Sequence, residues 1–171
     1  MKFTWLTLPL IAVVLGVSQP ATSSINNDVT PHMERSVIEV SNLQQLARQM
    51  EKDSLGLVLM FHAEYCEYCE RLEEDLLQPM VRSGDYDQKV LIRKIQVDGA
   101  YDLIHFDGSR ISSEKFSSHY DASLTPTLVF LDAKGVERSE KILGYNTPEL
   151  FGAYVDRAIE QLHKAVLNTP L

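Results

Sequence analysis

The stretch "FHAEYCEYCERLE", residues 61–73, places two cysteines three positions apart, where an apolar run meets an acidic segment rich in helix-forming residues. Cys66 and Cys69 are the only cysteines of the 171-residue chain, so any sulfur chemistry takes place here. A pair this close constrains the unfolded chain little, which makes it a poor structural disulfide. The same spacing suits a redox centre. The first sulfur lies at the start of a helix, where unpaired N–H groups favour a thiolate, and the second lies within reach of it.

The pattern on either side of the pair predicts an α/β sandwich with a mixed sheet. "LGLVLMFHA", residues 55–63, is a continuous apolar run typical of a central strand that is buried on both faces. Further strands are predicted within 36–40, 89–98, 124–132 and 134–145. Helices are predicted over 42–52 with Ser41 as its cap, from Cys66 to a kink or end at Pro79, over 113–120 and over 148–166. Strands that alternate with helices and end in a hairpin imply this architecture.

Residues 99–111, "GAYDLIHFDGSRI", do not fit the alternation of strands and helices. We interpret them as an inserted loop that precedes the helix at 113, with a turn at Asp107 and Gly108.

The first 23 residues have the layout of a secretory signal peptide: one lysine, an uncharged apolar stretch, then small and polar residues. Cleavage after Ser18 or after Ser23 fits the small residues there. About fifteen apolar residues fall short of the roughly twenty that span a bilayer, so export is favoured over membrane anchoring. We expect an exported, periplasmic protein in which residues 24–35 form a flexible segment and residues 36–167 form one domain. Disulfides persist in such a compartment.

The charge and the histidines limit the other functions that the chain could have. Sixteen basic and twenty-four acidic residues give a net charge of −8, which argues against nucleic acid and anionic membranes as partners. A metal site could combine the cysteines with His62 and with His105 or His119. However, no second C-x-x-C and no H-x-x-x-H completes a set of four ligands. Covalent haem attachment needs a histidine at position 70, which is a glutamate. We therefore expect neither a metal nor a bound cofactor.

Several motifs together resemble the thioredoxin-like proteins, in particular their exported, thioredoxin-related type. They are "FHAEYCEYC", the "FDG" before a helix, the "TPT" at 125–127 and the "GY" at 144–145. The resemblance covers about residues 36–165 and implies a thioredoxin fold. It further implies that Cys66 is the attacking thiolate and Cys69 the resolving thiol. By the same resemblance, Pro126 is a cis-proline that faces the pair, and the backbone of Thr125 contacts a bound disulfide substrate.

The departures from this family concern the residues around the sulfurs. Thioredoxins have Gly-Pro between the cysteines, whereas this chain has Glu67 and Tyr68. A tyrosine before the second cysteine resembles the motif of glutaredoxins and exported disulfide isomerases, and Tyr68 is expected to shape the surface that contacts the substrate. Thioredoxins also bury an aspartate as proton acceptor where this chain has Met60. Glu64, Glu67 or a water must then accept the proton. His62 is expected to end a strand or pack beside the site, where it is a candidate for tuning Cys66.

The charge near the motif indicates the direction of electron flow. Six carboxylates (Glu64, Glu67, Glu70, Glu73, Glu74 and Asp75) are opposed only by Arg71. Negative charge disfavours the Cys66 thiolate, and a less stable reduced form makes the couple more reducing. We therefore expect a monomeric enzyme that reduces or exchanges disulfides in partner proteins, supplied with electrons by a membrane protein with its own dithiol. A non-catalytic peptide-binding module and a metal-delivery protein remain the alternatives.

Overall fold

A five-stranded sheet forms the centre of the protein, and its middle strand is the apolar run that precedes Cys66. The computed structural model describes residues 35–168. The strands are β1 (Ile38–Glu39), β2 (Gly56–His62), β3 (Val90–Gln96), β4 (Asp102–Ile104), β5 (Arg110–Ser112), β6 (Thr127–Leu131) and β7 (Ile142–Leu143). The helices are α1 (Leu43–Asp53), α2 (Glu67–Leu72), a π-helical turn (Glu73–Leu77), α3 (Gln78–Ser83), α4 (Ser113–His119) and α5 (Pro148–Asn168).

The central sheet is mixed, as the sequence predicts. Its order is β1-β3-β2-β6-β7; β1 and β2 run parallel to β3, whereas β6 is antiparallel to both β2 and β7. In the pairing of β2 with β6, Phe61 is opposite Thr127. The end of β2 and the start of β6 therefore lie at the same edge of the sheet, which is the edge where the two cysteines follow β2.

Strand β2 is buried on both faces, which confirms its predicted central position. Val58 and Met60 contribute to one core layer, together with residues of α2, the π-helical turn, α3 and α5. Leu57, Leu59 and Phe61 point to the other layer, which is shared with α1, α4 and the segment around β4. Alternate residues of a strand face opposite sides of a sheet, so one uninterrupted apolar run supplies both layers.

The helix that follows the cysteines does not end at Pro79. Helix α2, the π-helical turn and α3 succeed one another without a break, and Gly84, with a φ of 76°, lies just beyond the last residue, Ser83. A proline has no N–H to donate to the preceding turn. The irregularity that accompanies Pro79 is the π-helical turn before it, in which the Gln78 N–H donates to the carbonyl of Glu73, five residues back.

The segment 99–111, predicted as an inserted loop, contains most of a β-hairpin, so the predicted loop conformation was wrong. Strands β4 and β5 pair antiparallel, with Leu103 opposite Ile111. Leu103 is fully buried and anchors the hairpin in the core. The predicted turn is present: the Gly108 N–H donates to the carbonyl of His105 at 2.9 Å, and Gly108 has a φ of 88°.

Two smaller expectations at the start of the domain also change. The cap of α1 is Asn42 rather than Ser41, because the Asn42 side chain accepts a hydrogen bond from the Gln45 N–H at 2.9 Å. The first strand is limited to Ile38–Glu39. The predicted signal peptide and all of the predicted flexible segment except Arg35 lie outside the described residues. No helix within 35–168 is long and apolar enough to cross a membrane.

Candidate active site

The segment between β2 and α2 is held in place by a carboxylate that follows β3. The backbone N–H of Glu64 lies 3.1 Å from each carboxylate oxygen of Asp98. This hydrogen bond favours the ionised form and is the main reason that the pKa of Asp98 is lowered. Glu64 and Glu67, which the sequence suggests as proton acceptors, both have exposed side chains. Glu64 contributes its backbone to the order of this segment.

Cys66 and Cys69 form a disulfide at the start of α2, with 5.2 Å between their Cα atoms. Cys66 is the N-cap of the helix and is half-buried, whereas Cys69 is only 4% exposed. The Cys69 N–H lies 3.3 Å from the Cys66 Sγ. A partner molecule can therefore reach the sulfur of Cys66 more readily than that of Cys69, and a backbone donor is already directed at the Cys66 sulfur.

The charges around Cys66 are predominantly negative. Glu67 and Glu70 lie in the first turn of α2 and are exposed. The guanidinium of Arg71, the cation nearest in sequence, lies 5.8 Å from the ring centre of Tyr145. The structure thus keeps the imbalance of charge on this first helical turn, although Glu73 is opposed by Lys94 and not only by Arg71.

The Thr125–Pro126 peptide bond is cis. Pro126 directly precedes β6, so the pairing of Phe61 with Thr127 places it at the edge of the sheet where β2 ends. Its carbonyl accepts a hydrogen bond from the Gly144 N–H at 2.8 Å, and the Thr127 hydroxyl donates to the carbonyl of Leu124 at 2.6 Å. Within residues 35–168 the backbone of Thr125 has no hydrogen-bond partner.

Three large side chains near the disulfide and the cis-proline are exposed. Tyr65 is 93% exposed, Tyr68 57% and Leu124 54%. Tyr68 was expected from its place between the cysteines, whereas Tyr65 and Leu124 were not predicted. Tyr65 has a φ of 58°, an unusual conformation for a bulky residue, and that feature is visible only in the structure. Its position directly before Cys66 is nevertheless a signal that the sequence carries, and no comparable signal marks Leu124.

His62 ends β2, and its imidazole is directed towards Glu39. The His62 Nε2 lies 3.8 Å from a Glu39 carboxylate oxygen, and the side chain is 17% exposed. Burial lowers the pKa of His62, and the opposing effect of Glu39 is smaller. No group of three or more histidine, cysteine, aspartate or glutamate residues within the described chain is arranged to hold a metal ion.

An ion pair that no sequence motif indicates involves Glu73, four residues after Cys69. The Lys94 Nζ of β3 is 2.6 Å from the Glu73 Oε2 at the start of the π-helical turn. Their side chains are 22% and 24% exposed. The pair joins residues 21 positions apart, so no local sequence pattern could reveal it.

The comparisons with known proteins agree with this geometry. A family model described as a thioredoxin-like domain matches residues 43–159. The chain belongs to this family. This thioredoxin-like protein has a mixed sheet flanked by helices and a C-x-x-C pair at the junction of strand and helix, as the resemblance implies. No curated protein matches the sequence significantly.

Solved thioredoxins are similar to the chain at low sequence identity. The germline-specific thioredoxin Deadhead from Drosophila melanogaster is 21% identical, with a TM-score of 0.50 and coverage of 70% of this chain and 98% of that one. Oxidised mitochondrial thioredoxin 3 from Saccharomyces cerevisiae is 19% identical, with a TM-score of 0.49 and coverage of 72% and 93%. The family and the cysteine pair together support thiol–disulfide oxidoreductase activity in general terms.

Proposed function

We propose that this protein is an exported thiol–disulfide oxidoreductase that reduces or exchanges disulfides in partner proteins. The observation that carries the proposal is the asymmetry of the pair: partly exposed Cys66 is bonded to buried Cys69 at the start of a helix. An accessible sulfur beside backbone N–H groups is suited to attack, and a shielded neighbour is suited to resolution.

The reaction proceeds by two thiol–disulfide exchanges. The Cys66 thiolate attacks one sulfur of a substrate disulfide, and the other substrate sulfur leaves as a thiolate. The Cys69 thiolate then attacks the Cys66 Sγ, and the second substrate sulfur leaves. Two electrons pass to the substrate, both of its cysteines become thiols after protonation, and the protein is left with the Cys66–Cys69 disulfide.

The proposed direction of electron flow is towards the substrate. The carboxylates of Glu67 and Glu70 lie on the first helical turn, and Arg71 is engaged with Tyr145. This negative surrounding destabilises the Cys66 thiolate, hence the reduced form, and makes the couple more reducing. Sustained turnover then needs an external reductant, which we propose to be a membrane protein with its own dithiol. The chemistry uses no bound cofactor.

The proposed substrates are proteins that present an extended segment around their disulfide. The backbone of Thr125 has no partner within the described chain and can pair with such a segment as an added strand. Exposed Tyr65, Tyr68 and Leu124, which adjoin the cysteines and Thr125 in sequence, offer apolar contact. One monomer carries all of these groups, so we propose that it acts without a second copy.

The test is turnover of a protein disulfide, with a small dithiol as electron source, by the wild-type chain and by Cys66→Ser. Wild-type protein should accelerate reduction, and Cys66→Ser should reduce the rate to that of the dithiol alone. Full activity in Cys66→Ser would refute the proposed chemistry. Absence of turnover in both, with peptide binding retained, would instead identify a binding module. The reduction potential should lie near or below about −200 mV rather than near the −120 mV of a strong oxidant.

Export is tested separately by the mass of the mature chain recovered from expressing cells. The mass should correspond to loss of residues 1–18 or 1–23. An intact N-terminus in the recovered protein would contradict cleavage of a signal peptide.

A further inference from the structure

Resolution of the mixed disulfide requires that Cys69 lose a proton. The thiolate rather than the thiol is the nucleophile in disulfide exchange. Cys69 is only 4% exposed, so bulk water has limited access to its sulfur. A nearby group of the protein that accepts the proton would accelerate this step. The inference that follows therefore rests on the proposed function.

Ionisable side chains lie on the face of the sheet that α2 covers. Met60 of β2 is paired in register with Lys94 of β3, and Lys94 is paired with Glu39 of β1. Directly paired residues of parallel strands point to the same face, and Met60 lies in the core layer beneath α2. Lys94 therefore extends beneath the helix that carries Cys69, where its Nζ is 2.6 Å from the Glu73 carboxylate.

Glu73 adjoins Cys69 on the helix. Its backbone N–H donates to the carbonyl of Cys69, four residues earlier. Residues four apart in a helix lie on the same face, with their β-carbons about 5–6 Å from each other. The ion pair with Lys94 holds the Glu73 carboxylate on the inner side of the helix, because Lys94 belongs to the sheet below.

The other groups on this face are less suited to the role. Met60 cannot take up a proton. Glu39 accepts a hydrogen bond from the Tyr101 hydroxyl at 2.9 Å, and its side chain is 44% exposed. The imidazole of His62 is directed towards Glu39, 3.8 Å away. Glu73 alone among these groups shares both the helix and the helical face of Cys69.

We propose that the Glu73 carboxylate, held in place by Lys94, accepts the proton that the Cys69 thiol loses when it resolves the mixed disulfide. The Cys69 thiolate then forms the bond to the Cys66 Sγ, and the bond between that sulfur and the substrate breaks. The substrate leaves as a thiolate, and Glu73 returns its proton to water. Lys94 acts as a positioning residue.

The experiment separates the two exchanges in a single turnover. Reduced full-length protein is mixed with an aromatic disulfide whose released thiolate absorbs visible light. Attack by Cys66 releases the first thiolate, at a rate that depends on reagent concentration. Attack by Cys69 releases the second, at a rate that does not. The variant is Glu73→Gln, and the matched control is Glu74→Gln, which removes an exposed carboxylate from the adjacent position.

Glu73→Gln should slow the second phase about 100-fold at neutral pH, the lower end of the range of general acid–base catalysis, and leave the first phase within about twofold. The difference in second-phase rate between the wild type and Glu73→Gln should vanish at high pH, where hydroxide removes the proton of the Cys69 thiol. The pH profile is compared with Glu74→Gln because other ionisable groups surround the site. They are Glu39 on β1, His62 on β2, Lys94 on β3, and Glu67, Glu70 and Glu74 on the helix. A second phase at the wild-type rate in Glu73→Gln would overturn the inference, and so would equal slowing of that phase in Glu73→Gln and Glu74→Gln.

The double variant Glu73→Gln, Lys94→Met guards against a purely structural effect. It leaves no unpaired ammonium beneath the helix. Its second phase, in which Cys69 resolves the mixed disulfide, should be as slow as that of Glu73→Gln alone. Resolution at the wild-type rate in the double variant would show that the unpaired lysine, not the missing acceptor, caused the defect. A wild-type protein that releases no second thiolate would overturn the proposed function itself, and this inference with it.

Discussion

The ion pair between Glu73 and Lys94 should contribute measurably to stability, and its energy can be isolated by a double-mutant cycle. The four proteins are the wild type, Glu73→Gln, Lys94→Met and the double variant. At the 2.6 Å separation of the two atoms, Coulomb's law with an effective dielectric constant of about 20 gives about 6 kcal/mol of gross attraction. Desolvation offsets much of this, because the two side chains are only 24% and 22% exposed.

The net coupling should lie between the values for buried and exposed pairs. Loss of one partner from a fully buried pair costs about 3–5 kcal/mol, whereas exposed pairs contribute about 0.2–1 kcal/mol. We expect a coupling energy of about 1.5–2.5 kcal/mol, with the double variant less destabilised than the sum of the two single variants.

The assay is urea unfolding of the oxidised proteins, followed by far-ultraviolet circular dichroism. The ion pair between Arg35 and Asp87 is the control, since its atoms are also 2.6 Å apart but its side chains are 54% and 49% exposed. The control cycle should give less than about 1 kcal/mol. Additive effects of Glu73→Gln and Lys94→Met, within about 0.3 kcal/mol, would refute the assignment of a partly buried, coupled pair.

Three further outcomes are expected. Leu72→Ala, at a fully buried position of α2, should lower the free energy of unfolding by about 3 kcal/mol; a loss below about 1 kcal/mol in urea titrations would contradict its core position. Burial lowers the pKa of His62, so the unfolded chain binds a proton that the folded chain does not. Stability should therefore fall as the pH drops from about 6.5 towards the pKa of His62 in the folded state, and His62→Gln should flatten that dependence. The same pH dependence of stability in His62→Gln would argue against a lowered pKa of His62. Tyr65→Ala, at the exposed residue before Cys66, should raise KM for a protein disulfide severalfold with little change in kcat, and equal KM values would exclude substrate contact.

The features that the sequence predicts correctly are those with a local cause. The run at 55–63 is apolar at every position needed for two core layers, and β2 is buried on both faces. Thr147 and Pro148 mark the start of α5, whose first residue is Pro148. The cysteine pair lies at the junction of strand and helix because a strand pattern ends and helix formers begin there.

The features that the sequence did not predict depend on contacts between distant segments or on compensating geometry. The hairpin of β4 and β5 has strands of only three residues, and burial of Leu103 against other elements stabilises it. Pro79 does not end its helix, because a π-helical turn precedes it. The pairing of Glu73 with Lys94 requires the register of β3 beneath α2. Propensity rules treat each of these segments alone, so they cannot detect such compensation.

The central claim is that Cys66 attacks the substrate and Cys69 resolves the product, and trapping of the mixed disulfide tests it most directly. Reduced Cys69→Ser is incubated with a protein disulfide, and the covalent adducts are mapped by mass spectrometry of proteolytic peptides. We expect a stable adduct at Cys66, and little adduct in the matched Cys66→Ser protein, whose remaining cysteine is 4% exposed in the wild type. Equal adducts at Cys69 in Cys66→Ser, or no adduct at Cys66, would contradict the assigned roles.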